Sequence, residues 1–182
     1  MIMKTMNKIA TVLGLACLLI IGTSFLMKPD YTQSSVDFKI KNAGIGVNGS
    51  FKKFETTIDY NESANAPSSI KATIETTTID TGIEARDKHL RKEEFFDVEK
   101  FPKITFESTH ILKTSTGLIA EGKLMIKGVS KDVKIPFTYK GNAEGGVFEG
   151  AITLNRLDYG VGGKSVTMGD DVEVTLKVTA SK

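Results

Sequence analysis

The sequence predicts an all-β protein, an extended eight-stranded antiparallel barrel with one short helix. Apolar and polar residues alternate strictly in eight segments, and alternation with period two is the pattern of a half-buried strand. Short stretches rich in Gly, Asn, Ser and Thr separate most of these segments, which favours antiparallel pairing of neighbours. The strands built on these segments are expected to be about eight to twelve residues long. Such strands suit a ligand-holding barrel, with a β-sandwich as the alternative.

The alternating segments follow one another from residue 36 to the C-terminus. One face of each segment is apolar, and the other carries Lys, Glu or Thr, which is unsuited to contact with lipid on the outside of a barrel. The eight segments are residues 36–40, 51–60, 70–74, 104–106, 118–126, 133–139, 148–154 and 172–178.

One short helix is predicted within residues 81–97. Thr81 and Glu84 have the spacing of a capping box. Glu84 with Lys88, and Asp87 with Arg91, have the spacing of ion pairs along a helix. The residues after the helix are unusually apolar, and they either cap one mouth of the barrel or fill its core.

The N-terminal residues 1–30 are predicted to be a leader, and residues 31–182 the folded domain. Lys4 and Lys8 precede an uncharged run, residues 9–27, which is the pattern of a signal peptide or an N-terminal membrane anchor. Cleavage is expected after Ser24. Either outcome places the domain outside the cytoplasm, in the periplasm or facing it, and membrane contact is expected only through an uncleaved leader.

Composition excludes several classes of function. The sequence of 182 residues has a formal net charge of +2, which the three lysines against one aspartate in residues 1–30 account for. Nucleic-acid binding is not expected of the neutral remainder. Cys17 is the single cysteine and only two histidines occur, so neither a metal site nor a cofactor is expected. No G-x-S-x-G element marks a nucleophile, and we predict no catalytic residue.

Few polar residues are candidates for binding, and each has a structural alternative. Arg86, Asp87, His89 and Arg91 could contact an anionic or carbonyl head group at the barrel mouth. Their alternative role is a set of salt bridges that fixes the helix. A second expected ion pair joins Arg156 to Asp158, and Gly160, Gly162 and Gly163 are interpreted as turn residues.

Several ordered elements resemble the YceI-like family. They are YTQSSVDF at 31–38, ARDKHLR at 85–91, EFFDVEKFP at 94–102, ITF at 104–106, GKLMIKGVSKDVK at 122–134, NRLDYGV at 155–161 and GDDV at 169–172. Two positions differ from the family pattern: Gln33 and Lys127 stand where many members have His.

The resemblance implies a lipocalin-like barrel whose elongated apolar interior holds an isoprenoid lipid or a quinone. The expected lining is Phe38, Ile40, Phe54, Ile74, Phe106, Leu124, Phe137 and Ile152, with Phe95 and Phe96 near a mouth. The predicted function is therefore non-enzymatic binding or carriage of an apolar lipid in the cell envelope. The alternative is an envelope protein with a packed core and no obligatory ligand. A homodimer is left open.

Overall fold

A computed structural model describes residues 23–182. Ten strands form the sheet: β1 (Ser24–Asn42), β2 (Ile45–Phe51), β3 (Phe54–Asn61), β4 (Ala66–Glu75), β5 (Ile79–Asp80), β6 (Lys103–Lys113), β7 (Leu118–Ile126), β8 (Val129–Asn142), β9 (Gly145–Asn155) and β10 (Met168–Ser181). One α-helix, α1 (Glu84–Leu90), and two 3-10 helices, Thr76–Thr78 and Arg156–Tyr159, complete the described elements. Within residues 23–182, no helix is long and apolar enough to cross a membrane.

Eight of the strands close into an antiparallel barrel. The order around the barrel is β10-β9-β8-β7-β6-β4-β3-β1, and β1 returns to pair with β10. The short strands β2 and β5 extend the sheet beyond this ring, with β2 paired to β1 and β5 paired to β2. The predicted eight-stranded barrel with one short helix is therefore confirmed, with two additional strands.

The single strand predicted for residues 51–60 is wrong, because the chain breaks between β2 and β3. The break falls at Lys52 and Lys53, whose backbone N–H groups both donate to Thr78, one to its carbonyl and one to its hydroxyl. Because these two N–H groups donate to Thr78 in the 3-10 helix, they are not available for pairing with a neighbouring strand. Strand β2 therefore ends at Phe51, and β3 begins at Phe54.

The barrel begins earlier than the predicted domain boundary. Strand β1 starts at Ser24, and its first residues pair with the end of β3, where Phe25 lies opposite Tyr60. Residues 24–30 therefore belong to the barrel. The leader prediction concerns mainly residues 1–22, which lie outside the described residues, and it stays a prediction.

Candidate functional site

The interior of the barrel is hollow. Along β10 the outward residues are exposed, whereas the inward residues Val172, Val174 and Leu176 are only half-buried rather than fully buried. The inward residues of β9, Ile152 and Leu154, are half-buried in the same way. These side chains border a cavity with a volume of about 290 Å³. The inward side chains leave this space open.

The cavity is long. Its lining follows β10 from Met168 to Val178, which at about 3.3 Å per residue corresponds to roughly 33 Å along the strand. With the usual strand tilt of about 35–45°, this corresponds to roughly 25 Å along the barrel axis. The space therefore suits a chain-like molecule better than a compact one.

The wall is almost entirely apolar, and all ten residues expected to line it do so. Phe38, Ile40, Phe54, Ile74, Phe95, Phe96, Phe106, Leu124, Phe137 and Ile152 all border the cavity. Their contact with a ligand remains a prediction. Residues of β10 also border the cavity but are missing from the sequence prediction. Their alternation is the same signal as in the other strands, and the residues concerned are Val172, Val174, Leu176 and Val178.

One end of the barrel is closed by aromatic rings. Tyr139 stacks on Phe148 with ring centroids 4.3 Å apart, and Tyr60 packs against Tyr139 at 5.6 Å and Phe25 at 5.6 Å. Tyr60 is completely buried, and its hydroxyl donates to Oδ1 of Asn65. Burial, reinforced by the neighbouring Tyr60, raises the pKa of Tyr139 to about 12. A ligand would therefore have to enter from the opposite end.

The opposite end carries α1 and the segment that follows it. Phe95 and Phe96 border the cavity here, and Phe96 packs edge-on against Phe51 with centroids 5.8 Å apart. Phe95 also contacts the ring of His89 at 5.0 Å. The two phenylalanines therefore form part of the cavity wall at its helix end.

Of the four head-group candidates, Arg86 alone borders the cavity. Its Nε donates to Oγ1 of Thr81 over 2.7 Å, and its Nη2 donates to the Thr81 carbonyl over 2.7 Å. Thr81 in turn donates through its hydroxyl and its backbone N–H to Oδ1 of the buried Asp87. The guanidinium is thus held in place at the cavity wall by two bonds to a single residue.

The remaining candidates lie outside the cavity. The Nε2 atom of His89 lies 3.0 Å from Glu94 Oε1 on the exposed side of the helix. Arg91 donates to the carbonyls of Thr77 and Ile79, 2.8 and 3.0 Å away. These contacts hold α1 against the barrel, which matches the structural alternative for this cluster.

Two expected features of α1 are wrong, and one is confirmed. The helix begins after Ile83 with no side-chain cap, because Thr81 is engaged with Asp87 rather than with the first turn. For the same reason Asp87 is unavailable to Arg91. The pair of Glu84 with Lys88 forms as expected, at 2.8 Å.

The expected Arg156–Asp158 ion pair is also wrong. Arg156 is buried and pairs with Asp170 over 2.9 Å, while Asp158 pairs with Lys131 at 3.2 Å. The Arg156 guanidinium also donates to the carbonyls of Val161, Gly163 and Gly169, so that it fastens the loop before β10.

The two residues that differ from the family pattern make structural contacts. Lys127 Nζ donates to the carbonyls of Glu93 and Gly160, at 2.7 and 2.9 Å, and so joins the segment after α1 to the second 3-10 helix. Gln33 donates to Asp30 in the bent part of β1. Across residues 23–182, no group of three or more His, Cys, Asp or Glu is placed to hold a metal ion.

The profile of the YceI-like domain matches residues 28–180. The chain belongs to the YceI-like family. A UPF0312 protein of Pseudomonas aeruginosa strain PAO1 is 33% identical over 150 residues, covering 79% of this chain and 78% of the relative. A UPF0312 protein of Yersinia enterocolitica is 35% identical over 123 residues, covering 66% of this chain and 64% of the relative.

Solved structures share the fold. Burkholderia cenocepacia BcnA superimposes with a TM-score of 0.79 at 25% identity, covering 85% of this chain and 100% of that protein. The Campylobacter jejuni YceI protein gives 0.70 at 26% identity, covering 75% and 85%. A polyisoprenoid binding domain from Saccharophagus degradans gives 0.64 at 14% identity, covering 86% and 97%, a likeness of fold.

Proposed function

We propose that this YceI-like barrel binds a single long isoprenoid lipid, a polyprenyl lipid or a quinone, along the barrel axis without chemical conversion. The observation that carries the proposal is the apolar cavity, closed by aromatic rings at one end and reaching the rim at the other. The Saccharophagus domain, described as polyisoprenoid binding, supports the same ligand class through its shared fold.

The energetics favour a long hydrocarbon chain. Each buried methylene contributes about 0.8 kcal/mol, so several isoprene units outweigh the cost of association and of ordering the chain. A wall of aliphatic and aromatic side chains binds such a chain without directional contacts. Length and thickness of the chain therefore determine affinity more than its chemical identity.

The polar end of the ligand belongs near Arg86. This guanidinium borders the cavity, and its Nε and Nη2 atoms are bonded to Thr81. The Nη1 atom makes no hydrogen bond to residues 23–182, and it is oriented by the two bonds already formed. A guanidinium held in this way suits a phosphate or a quinone carbonyl.

We also place this binding in the cell envelope, exported by the predicted leader. The support is Lys4 and Lys8 before the uncharged run of residues 9–27. Fractionation of the native host tests it: recovery in the periplasm or on the periplasmic side of the membrane is expected, and cytosolic protein with an intact leader would refute it.

The binding proposal is tested by native mass spectrometry of protein purified without detergent. The expected result is a mass excess from one bound lipid, which disappears on denaturation and is identified by extraction as an isoprenoid. Unliganded protein that also fails to take up an added polyprenyl lipid or quinone would contradict the proposal.

A further inference from the structure

The rim of the cavity is formed by two neighbouring segments. One is the β1–β2 turn, residues 42–46, and the other is the loop of residues 162–167 before β10; together they are called the mouth loops. Asn42, Val47 and Met168 border the cavity in or beside these segments. The backbone N–H of Ala43 donates to the Thr167 carbonyl over 2.8 Å, so the two loops form one continuous edge.

An apolar path continues from the cavity onto this edge. Ile40 lies opposite Val47, and Asn42 lies opposite Ile45, across the β1–β2 ladder. Residues directly opposite in an antiparallel pair share a face of the sheet, so Ile45 lies on the cavity face beyond Val47. Its side chain is outside the barrel, with 71% of the residue exposed.

The second loop presents a similar side chain. Val166 is fully exposed, two residues before the cavity-lining Met168. A single exposed aliphatic residue is ordinary on a protein surface. Here two of them project from hydrogen-bonded loops at the rim of an apolar cavity, an arrangement that suits insertion into a membrane.

Hydrogen bonds anchor the mouth loops to the barrel. Buried Arg156 donates to the carbonyls of Val161, Gly163 and Gly169, on both sides of Val166. Gly162 is fixed by a bond from its N–H to the Glu94 carbonyl at 2.8 Å. The exposure of Val166 therefore occurs on a loop whose two ends are anchored to the barrel.

The mouth loops themselves contain lysine and no acidic residue. Lys41 and Lys164 are exposed in or beside these loops, and the first acidic residues after the second loop are Asp170, which pairs with buried Arg156, and Asp171. Lysine next to exposed aliphatic side chains is complementary to an anionic bilayer, which attracts the cations and accepts the apolar groups.

We infer that the mouth loops dock the barrel on an anionic lipid membrane, with Ile45 and Val166 inserted among the lipids and Lys41 and Lys164 at the head groups. The inference rests on the proposed function, because docking brings the cavity rim to the place where an insoluble lipid enters or leaves. Transfer of the cargo then needs no passage through water.

The test is sedimentation of purified protein with vesicles of phosphatidylethanolamine and phosphatidylglycerol, compared with vesicles of phosphatidylcholine. The protein should bind the anionic vesicles more strongly, and added salt should weaken this binding. Ile45→Ser and Val166→Ser should each lower the vesicle affinity about tenfold, from the lost burial of one aliphatic side chain. Lys164→Gln should lower it about fivefold.

Matched controls lie at the plugged end of the barrel. Leu112→Ser removes an aliphatic side chain with 43% exposure, and Lys113→Gln removes an exposed charge from the same strand. Both should bind vesicles as the unchanged protein does. All five substituted side chains are exposed, so the thermal unfolding temperatures should stay close together.

Three results would overturn the docking surface: no binding to either vesicle, equal loss in the control variants, or conversion of a dimer to a monomer by Ile45→Ser. Lipid content of the same preparations separates the two proposals. A protein that carries lipid but does not bind vesicles would overturn the docking inference and leave the proposed function intact. Vesicle binding by a protein that neither carries nor takes up lipid overturns the proposed function and leaves only the membrane contact.

Discussion

The Nη2 atom of Arg156 donates to Oδ1 of Asp170 over 2.9 Å, and the two side chains differ sharply in exposure, at 3% and 47%. The pair is therefore a buried cation that meets a partly solvated anion at the root of the loop before β10. The three carbonyls that Arg156 also contacts depend on it for their hydrogen bonds.

Because of this asymmetry, substitutions of the two partners should differ in cost. Arg156→Met strands the three carbonyls and one carboxylate, and we expect a loss of about 3 kcal/mol or more in the free energy of unfolding. Asp170→Asn keeps an oxygen acceptor in the same place and should cost about 1 kcal/mol or less. Urea unfolding measures both, and equal losses would show that Arg156 does not have the role assigned to it.

The aromatic plug should make the barrel sensitive to alkali. Burial raises the pKa of Tyr60, and burial together with Tyr60 raises that of Tyr139 to about 12. The unfolded chain releases these protons near pH 10, so the stabilisation is complete below about pH 10 and is lost as pH rises towards about 12. Thermal unfolding across this range, followed with tyrosinate absorbance, checks the prediction.

Tyr139→Phe is the control for this titration. The variant removes the group with the highest pKa and should lose stability less steeply above about pH 10, although it starts lower because the bond from the Tyr139 hydroxyl to the Asn142 carbonyl is absent. Identical slopes in the two proteins would rule out a contribution from Tyr139.

Arg86 should act on the head group and not on the chain of the ligand. Arg86→Met should weaken binding of a polyprenyl phosphate about tenfold or more, the value of one hydrogen bond to a charged group. Binding of an isoprenoid hydrocarbon without a head group should be unchanged. Competition against a fluorescent lipid measures both affinities.

Lys88→Met is the matched control for Arg86. It removes a cation from the same helix, but Lys88 is exposed, paired with Glu84 and absent from the cavity wall. The control should bind both ligands normally. Equal weakening of phosphate and hydrocarbon ligands by Arg86→Met would assign Arg86 a structural role only.

The barrel could be predicted from sequence because alternation is a local signal repeated strand after strand. The same alternation sorted Phe38, Ile74 and Ile152 onto the inner face without any knowledge of strand partners. It does not report whether that inner face is packed or hollow, since both interiors require the same pattern. The cavity is a property of how far apart the opposite walls stand, which only the closed structure gives.

The predicted ion pairs of Arg156 and Asp87 are wrong for a different reason. Arg156 was assigned to Asp158 because the two are close in sequence, yet its partner Asp170 is brought near by the start of β10. Asp87 was likewise assigned to the next helical turn, whereas Thr81 reaches it from before the helix. Spacing rules for ion pairs consider exposed neighbours within one helix, and both of these groups are buried against other segments.

Filling the cavity should separate a lipid-binding barrel from a merely packed one. Ile152 on β9 points inward, is half-buried and borders the cavity. In a hollow barrel Ile152→Trp places the larger ring in empty space, so lipid content should fall strongly while the unfolding temperature changes little. In a filled core the same substitution would overpack and cost about 1–3 kcal/mol.

The neighbouring residue supplies the control, because Ala151 lies on the outer face of the same strand and is exposed. Ala151→Trp should leave the lipid content unchanged, and Ile74→Trp, on the cavity wall formed by β4, should repeat the effect of Ile152→Trp. Native mass spectrometry gives the lipid content, and calorimetry gives the unfolding temperature. Unchanged lipid content with a lowered unfolding temperature in both inward variants would show that the ligand does not occupy the barrel interior, because a chain lying along the axis has to pass both positions.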